Sequence, residues 1–338
     1  MKALEKWQEF RNSPRYEDRK GALVKKSKNL LLTVMQIILI VGIAYVILSP
    51  VIGIVAQSFF SDSDSANPMV FTIPMAPTLE RYDGALTELH YFPSATAFNM
   101  GEFSIGNLWN ATVSWFRSST LFNTVIYTII NTIFQIVICS MVGYGFARFD
   151  FPFKKLLFAC VIVMIVVPSH TIMLPQYMTF SSMGLMTTEL PMYVLSIFGV
   201  GLRSGLYIYI FNQFFRGLPK EIEEAAFVDG AGTWYTYFRI MLINAMPAVI
   251  TVTVFSLVWQ YNDMFYAKLF NIPNSTLLAR QLSTLQSNIG ANLKIMTPRL
   301  QKLYVNAGVV LVMLPILGIY LILQKRFVEG VERSGIVG

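Results

Sequence analysis

Six stretches of this chain are apolar for long enough to cross a bilayer, and no other feature limits its fold as strongly. A hydrocarbon core takes roughly 20 apolar residues in a helix. Inside it, every backbone N–H and C=O must find a partner within the segment. The stretches are 30–59, 121–147, 156–180, 190–215, 247–270 and 307–323. They predict an all-α, polytopic membrane protein of six transmembrane helices. Composition agrees: 54% of residues are hydrophobic and 13% charged, where a soluble domain carries about 25% charge. The first stretch is longer than a signal-peptide core and lacks a small-residue cleavage site, so it reads as an uncleaved anchor.

The net charge of +7 raises the question of nucleic acid, and its distribution answers it. Nine Lys/Arg lie in residues 1–29, ending in Lys25, Lys26 and Lys28 beside the first span. The loop 60–118 holds only Arg81 and Arg117, against six acids. Such a bias places the N-terminus in the cytoplasm, and membrane lipid rather than nucleic acid is the expected surface partner. Six crossings return Lys325 and Arg326 to the same side, with Arg148, Lys154, Lys155, Arg216 and Lys220 in cytoplasmic loops. The loop 271–303 dissents, being external by count yet carrying Arg280, Lys294, Arg299 and Lys302.

The expected organisation is a basic cytoplasmic tail (1–29), a first transmembrane helix (30–59), an extracellular loop (60–118), a five-helix core (119–323) and a cytoplasmic C-terminal tail (324–338). In the first tail, Trp7 and Phe10 share helical spacing, which suits either the membrane face or a solvated segment. The extracellular loop is rich in aromatics (Phe92, Phe98, Phe103, Trp109, Trp115, Phe116), as interfacial anchors are. Cys139 and Cys160 fall in apolar spans and read as buried thiols acting as small hydrophobes.

Between the fourth and fifth spans the chain turns polar and patterned. Pro219 suits the first turn of a helix. Glu221, Glu223 and Glu224 follow, where negative charge complements the helix dipole. Ile222, Ala225, Ala226 and Asp229 share one small-residue face by i, i+3, i+4 spacing. Asp229-Gly230 and then Gly232 end the helix with turn residues. A second short helix begins at Thr233, whose hydroxyl can cap it. Trp234, Tyr237, Phe238 and Met241 supply its apolar side. Either this is a docking surface or it is a loop with incidental helicity.

The run Glu224-Ala225-Ala226, Asp229-Gly230-Ala231, Ile240, Leu242 and Pro247 resembles the EAA loop of binding-protein-dependent ABC importer permeases, here within 217–246. The proline usual after the Leu is Ile243 here, which leaves open where the chain bends into the fifth span. Tyr144-Gly145-Phe146-Ala147-Arg148 with Phe151 and Lys154, then Pro168, Pro175 and Gly184-Leu185, and Trp259 with Asn262-Asp263, are similar to stretches of the carbohydrate permeases. The resemblance covers 119–323 and is nearest to the maltose-type branch with its type I transmembrane domain. It implies that the loop couples the chain to a cytoplasmic ATPase, through Glu224, Ala225, Ala226, Asp229, Gly230, Ala231, Ile240, Leu242 and Pro247. It further implies a second homologous permease subunit, two copies of the ATPase, an extracellular solute-binding protein, and residence in the plasma membrane of a bacterium.

Several polar residues fall inside the apolar stretches. Arg203 lies about 12 residues from either end of the fourth, roughly 18 Å from water and beyond snorkelling reach. Such a charge normally faces a bundle interior or an aqueous cavity. It reads as a pathway-lining or partner-contacting residue, or as an internally satisfied arginine that fixes packing. Asn131 and Gln135 share a helix face and suit either interhelical bridging or solute contact. Asn262 and Asp263 either face the pathway or cap the end of the fifth span. His170, beside Pro168, reads as interfacial, and with His90 as the other histidine no zinc or catalytic constellation assembles.

No G-x-x-x-x-G-K-[ST] loop occurs, so the chain has no means of its own to cradle ATP phosphates. No catalytic residue, metal site or cofactor is expected. An active transporter without a motor borrows one, and a cytoplasmic docking helix is a means of doing so. The function expected from the resemblance is therefore an ATP-driven importer permease for a sugar or oligosaccharide. One alternative is a permease for a non-sugar solute. Another is an ion-coupled secondary transporter, which calls for inverted repeats and paired midplane carboxylates that the sequence lacks.

Overall fold

The structure, a computed structural model, describes residues 14–98, 104–273 and 276–335, and among them every regular element is a helix. Trp7, Phe10 and Phe103 lie outside the described residues. Helix α1 (Pro14–Ser58) carries the first apolar stretch without interruption. The loop that follows is folded: α2 (Asp62–Ala66), α3 (Glu80–Glu88) and α4 (Ile105–Arg117) occupy much of it. Its aromatics Phe92, Phe98, Trp109 and Phe116 are exposed, while Trp115 is half-buried.

Helix α5 (Thr120–Arg148) is the second apolar stretch, opened by Ser119, whose hydroxyl accepts from the Phe122 N–H. The third stretch is broken where the sequence places Pro168. Helix α6 (Lys154–Val166) stops there, because proline offers no N–H and holds Val167 extended. A short 3-10 turn (Ser169–Ile172) and α7 (Met173–Ser182) then leave at 104°. The fourth stretch, expected as one helix, is two: α8 (Leu190–Ile197) and α9 (Ser204–Gly217). Between them Gly199 and Arg203 take left-handed backbone, φ +69° and +62°, which no continuous right-handed helix allows.

Helix α10 (Glu221–Val228) begins after Pro219 rather than with it, since Lys220 is its N-cap. After the elbow come α11 (Thr233–Tyr235), a π-helical turn (Thr236–Met241) and α12 (Leu242–Asn244). Gly232, not Thr233, is the cap of α11, and the Thr233 hydroxyl makes no capping bond. A 77° bend leads into α13 (Met246–Tyr261). It forms without a proline at 243: Pro247 lacks the N–H that would bond the Ile243 carbonyl, so the helix is already released there. The fifth stretch also ends sooner than its hydropathy suggests, and residues 262–270 turn off into α14 (Phe265–Leu269). Helices α15 (Leu278–Asn292) and α16 (Pro298–Gly335) complete the chain, and α16 takes in the sixth stretch.

Three of these helices are long and apolar enough to cross a membrane unaided, over Lys28–Ser58, Thr120–Arg148 and Pro298–Ile322, and the two bent pairs raise the number to five. Helix α5 lies at the centre, packed on α8, α9 and α13. Gly143 lets α9 approach it, since a Cβ there would stand 2.6 Å from the Phe211 Cβ. Around this crossing the buried core gathers Cys139, Tyr144, Tyr207, Phe211, Phe215, Tyr237 and Met241. A second core joins α3, α15 and α16 through Leu89, Leu278, Leu285, Ile289, Tyr304 and Ala307. Arg81 is buried there beneath Tyr304, donating to its hydroxyl at 2.9 Å and paired with Asp62. Cys139 is buried as its apolar setting suggests, but Cys160 is exposed, because α6 turns that side outward.

Candidate functional site

The polar segment between α9 and α13 has two faces. Glu223 and Ala226 point inward and are buried, with Ile222 half-buried beside them. Glu221, Glu224, Ala225 and Asp229 point outward. The single small-residue face expected from spacing is thus divided: Ala226 packs against the body while Ala225 and Asp229 stay free of it. The reason lies beneath, where Tyr144, Phe215 and Tyr237 crowd together, with Tyr144 5.3 Å from Phe215 and 5.1 Å from Tyr237 between ring centroids. Ile222 packs against this cluster from α10.

The outward face mixes acid and apolar groups. Phe227 is exposed and Val228 is 87% exposed, flanked by Glu224 and Asp229. Past the elbow, Trp234 stacks on Phe238 at 6.1 Å, both exposed, whereas Tyr237 and Met241 sink into the core. The second short helix therefore lies on the body by half of its expected apolar side. Gly230 forms the elbow at φ +84°, a conformation that L-residues with a side chain avoid. Ala231 donates its N–H back to the Ala226 carbonyl at 2.9 Å, which fixes the turn. Ala231, Ile240, Leu242 and Pro247 are half-buried behind it.

Glu223 is held by Arg148 from the end of α5, Nε to Oε2 at 3.2 Å, with only 6% of the arginine and 10% of the glutamate side chain exposed. The same guanidinium donates from Nη2 to the Leu218 carbonyl at 2.8 Å. In the sequence Arg148 stands out by its charge topology and its place in the permease-like stretch, and nothing in its charge separates Glu223 from its acidic neighbours. The signal was there: Glu223 is three residues before Ala226, on the inward side of the turn.

Beside the middle of α5 the breaks in the third and fourth stretches border a cavity of about 770 Å³. Arg203, Gln176, His170, Tyr266 and the Val200–Leu202 backbone line it. Arg203 is not mid-helix but at the N-cap of α9, exposed toward this space, its guanidinium 4.9 Å from the Trp259 ring centroid. No carboxylate lies within ion-pair distance of it among the described residues.

Asn131 and Gln135 are fully buried. The Asn131 amide donates to the Tyr127 carbonyl at 2.9 Å and accepts from the Ser196 hydroxyl at 2.7 Å. Gln135 donates to the Leu202 carbonyl and accepts from the Ser256 hydroxyl, both at 2.7 Å. Both side chains stitch α5 to its neighbours. Asn262 is exposed and bonds back to the Val258 carbonyl of its own helix, where it is the C-cap. Asp263 is buried, and its Oδ1 accepts from the Tyr266 N–H at the start of α14. The structure thus brings Arg203 to the cavity, sets Asn131 and Gln135 in helix contacts beside it, and leaves Asn262 and Asp263 at a helix junction.

Residues 135–333, more than half of the chain, match the family described as "Binding-protein-dependent transport system inner membrane component". The trehalose transport system permease protein of Mycobacterium tuberculosis is 26% identical over 80% of this chain and 90% of its own length. The melibiose/raffinose/stachyose import permease protein of Bacillus subtilis is 28% identical over 68% of this chain and 80% of its own. In three dimensions the chain is similar, at a TM-score of 0.69 and 18% identity, to a chain of a bacterial ABC transporter involved in import of the acidic polysaccharide alginate, covering 89% of this chain and 98% of that one.

Proposed function

Because the chain belongs to the family of inner membrane components of binding-protein-dependent transport systems, we propose that it couples to its motor through the outward face of α10 and the elbow behind it. The chain is a multi-pass plasma-membrane permease of an ABC importer, and the hydrolysis of ATP belongs to partner subunits. Its solute is a sugar or oligosaccharide, as the names of its relatives suggest. A second permease closes the pathway, two cytoplasmic ATPase copies sit below, and a binding protein delivers solute from outside.

The observation that carries this reading is the two-faced α10. Its inner side is tied to the bundle by a buried ion pair, and its outer side offers Glu224, Phe227, Val228 and Asp229 to another surface. A gate moved from 1:99 to 99:1 needs about 5.5 kcal/mol of differential interaction, so the motor requires a firm apolar grip as well as charge. Six crossings, with α8 and α9 forming one broken crossing, put α10 and both termini in the cytoplasm. The packing of α3 on α15 supports that count: Gln281 bonds the Glu88 carbonyl and Asn292 the Glu88 carboxylate, so the dissenting basic loop shares a side with the loop 60–118. The cavity at Arg203 lies where the third and fourth crossings are both broken, a form of irregular backbone that membranes tolerate when it lines a cavity.

Replacing Glu224 with Lys or Gly230 with Val tests the coupling. Each is expected to lower uptake by at least about tenfold and to lose copurifying ATPase while the chain still inserts. Full uptake with normal copurification would refute the assignment. Uptake measured across a panel of glycans, with the cognate binding protein present, identifies the solute.

A further inference from the structure

The docking helix is too short to carry force by itself. Eight residues make about two turns, which in isolation are not stable, so its movement reaches the membrane only through what holds it. Among the described residues its firmest hold is Arg148. That side chain joins three pieces at once: the end of α5, the Leu218 carbonyl at the end of α9, and Glu223 in the first turn of α10. The bond to Leu218 is a directed hydrogen bond, whereas the contact with Glu223 is a close ion pair held by charge, which a lysine can keep. With both partners nearly out of water, separating them would leave an uncompensated buried charge, a costly outcome that resists tilting of α10 against α5. Its other neighbour, the turn Thr236–Met241, offers α10 no hydrogen bond or ion pair among the described residues.

From Arg148 the helix runs inward to Gln135, thirteen residues and roughly 20 Å away. There a second joint waits. The Gln135 amide holds the Leu202 carbonyl in the break between α8 and α9, and its oxygen holds Ser256 on α13. Leu202 adjoins Arg203 and lines the cavity. One helix therefore bears a polar joint to the docking helix near one end and a polar joint to the cavity wall near its middle.

We propose that α5 is the rod that carries motor movement to the cavity, with Arg148 and Glu223 as positioning residues at its motor end and Gln135 as the positioning residue beside the cavity, near its middle. The proposal rests on the reading of α10 as the motor's docking helix. The Arg148–Glu223 pair acts by keeping α10 and α5 one rigid body, and Gln135 acts by making the break at 198–203 follow α5.

The test uses the complete transporter, with second permease, ATPase and binding protein, reconstituted in liposomes. The readout is solute moved per ATP hydrolysed. Arg148→Gln and Glu223→Gln are each expected to lower that ratio about tenfold, Arg148→Lys by less than about threefold, and the swap Arg148→Glu with Glu223→Arg to recover most of the loss. Gln135→Leu should lower the ratio as well, with ATPase still bound. A pair that served the fold alone would reduce the amount of assembled complex and leave the ratio of the remainder unchanged. That result overturns the proposal. So does an Arg148→Lys variant as poorly coupled as Arg148→Gln, whether or not the swapped pair assembles. If the ATPase binds normally to the Glu224→Lys and Gly230→Val variants, the docking reading itself fails and the inference falls with it.

Discussion

Gln135 donates to the Leu202 carbonyl and accepts from the Ser256 hydroxyl, so a leucine in its place strands the Leu202 carbonyl and leaves Ser256 only its bond with the Thr132 hydroxyl. Hydrogen bonds between membrane helices average about 0.6 kcal/mol, but leaving buried groups unpaired costs about 1–3 kcal/mol. Gln135→Leu is therefore expected to destabilise the chain by about 1–3 kcal/mol in denaturant unfolding from detergent. Asn262→Ala, which removes an exposed bond within one helix, is expected to stay within about 0.5 kcal/mol. Equal losses at the two positions would show that the bonds to the break contribute nothing. Both residues are polar groups in apolar stretches, and the sequence could not rank them. What separates them is the partner, and Leu202 and Ser256 are 67 and 121 residues away.

Helix α16 continues through Pro315, which cannot donate to the Leu311 carbonyl one turn back. The carbonyl released there is taken up from outside the helix, and its neighbour gains a second donor. Tyr91 donates its hydroxyl to Leu311 at 3.1 Å, and Tyr261 donates to Val312 at 2.7 Å. A double-mutant cycle isolates the effect. Tyr91→Phe should cost about 1–2 kcal/mol in the parent and much less when Pro315→Ala restores the backbone donor, as measured by unfolding. A cost unchanged by the alanine would mean that the tyrosine acts by packing alone. Pro168 breaks a third stretch that hydropathy reads as one helix, whereas the end of α10 at Asp229-Gly230 was legible in local chemistry. The break between α8 and α9 was not. Hydropathy counts apolar residues and cannot tell one long helix from two short ones when a distant glutamine satisfies the exposed backbone between them.

At the scale of the whole molecule, the order of apolar stretches and the short-helix segment between the fourth and fifth could be read directly, whereas the way the loops close over one end could not. Arg81 illustrates the difficulty: a lone arginine in a loop looks solvated, yet it is buried under Tyr304, more than 200 residues later. The dissenting charges near 271–303 were likewise uninformative alone, because it is the packing of α15 on α3 that supports a side for them. Helix α1 stands apart from all of this. Its most apolar window is 0% buried, and its attachments lie at its foot, where Gln57 accepts from Asn306 and Ser58 meets the Tyr82 hydroxyl at 2.6 Å. Replacing residues 30–50 with an unrelated apolar helix of equal length should leave unfolding of the remaining body within about 0.5 kcal/mol of the parent. A larger loss would reveal contacts that the helix makes with the body along its length. Its spelling is then close to interchangeable: substitutions among apolar letters can accumulate along most of α1, while the body constrains the length of the helix and the two residues at its foot.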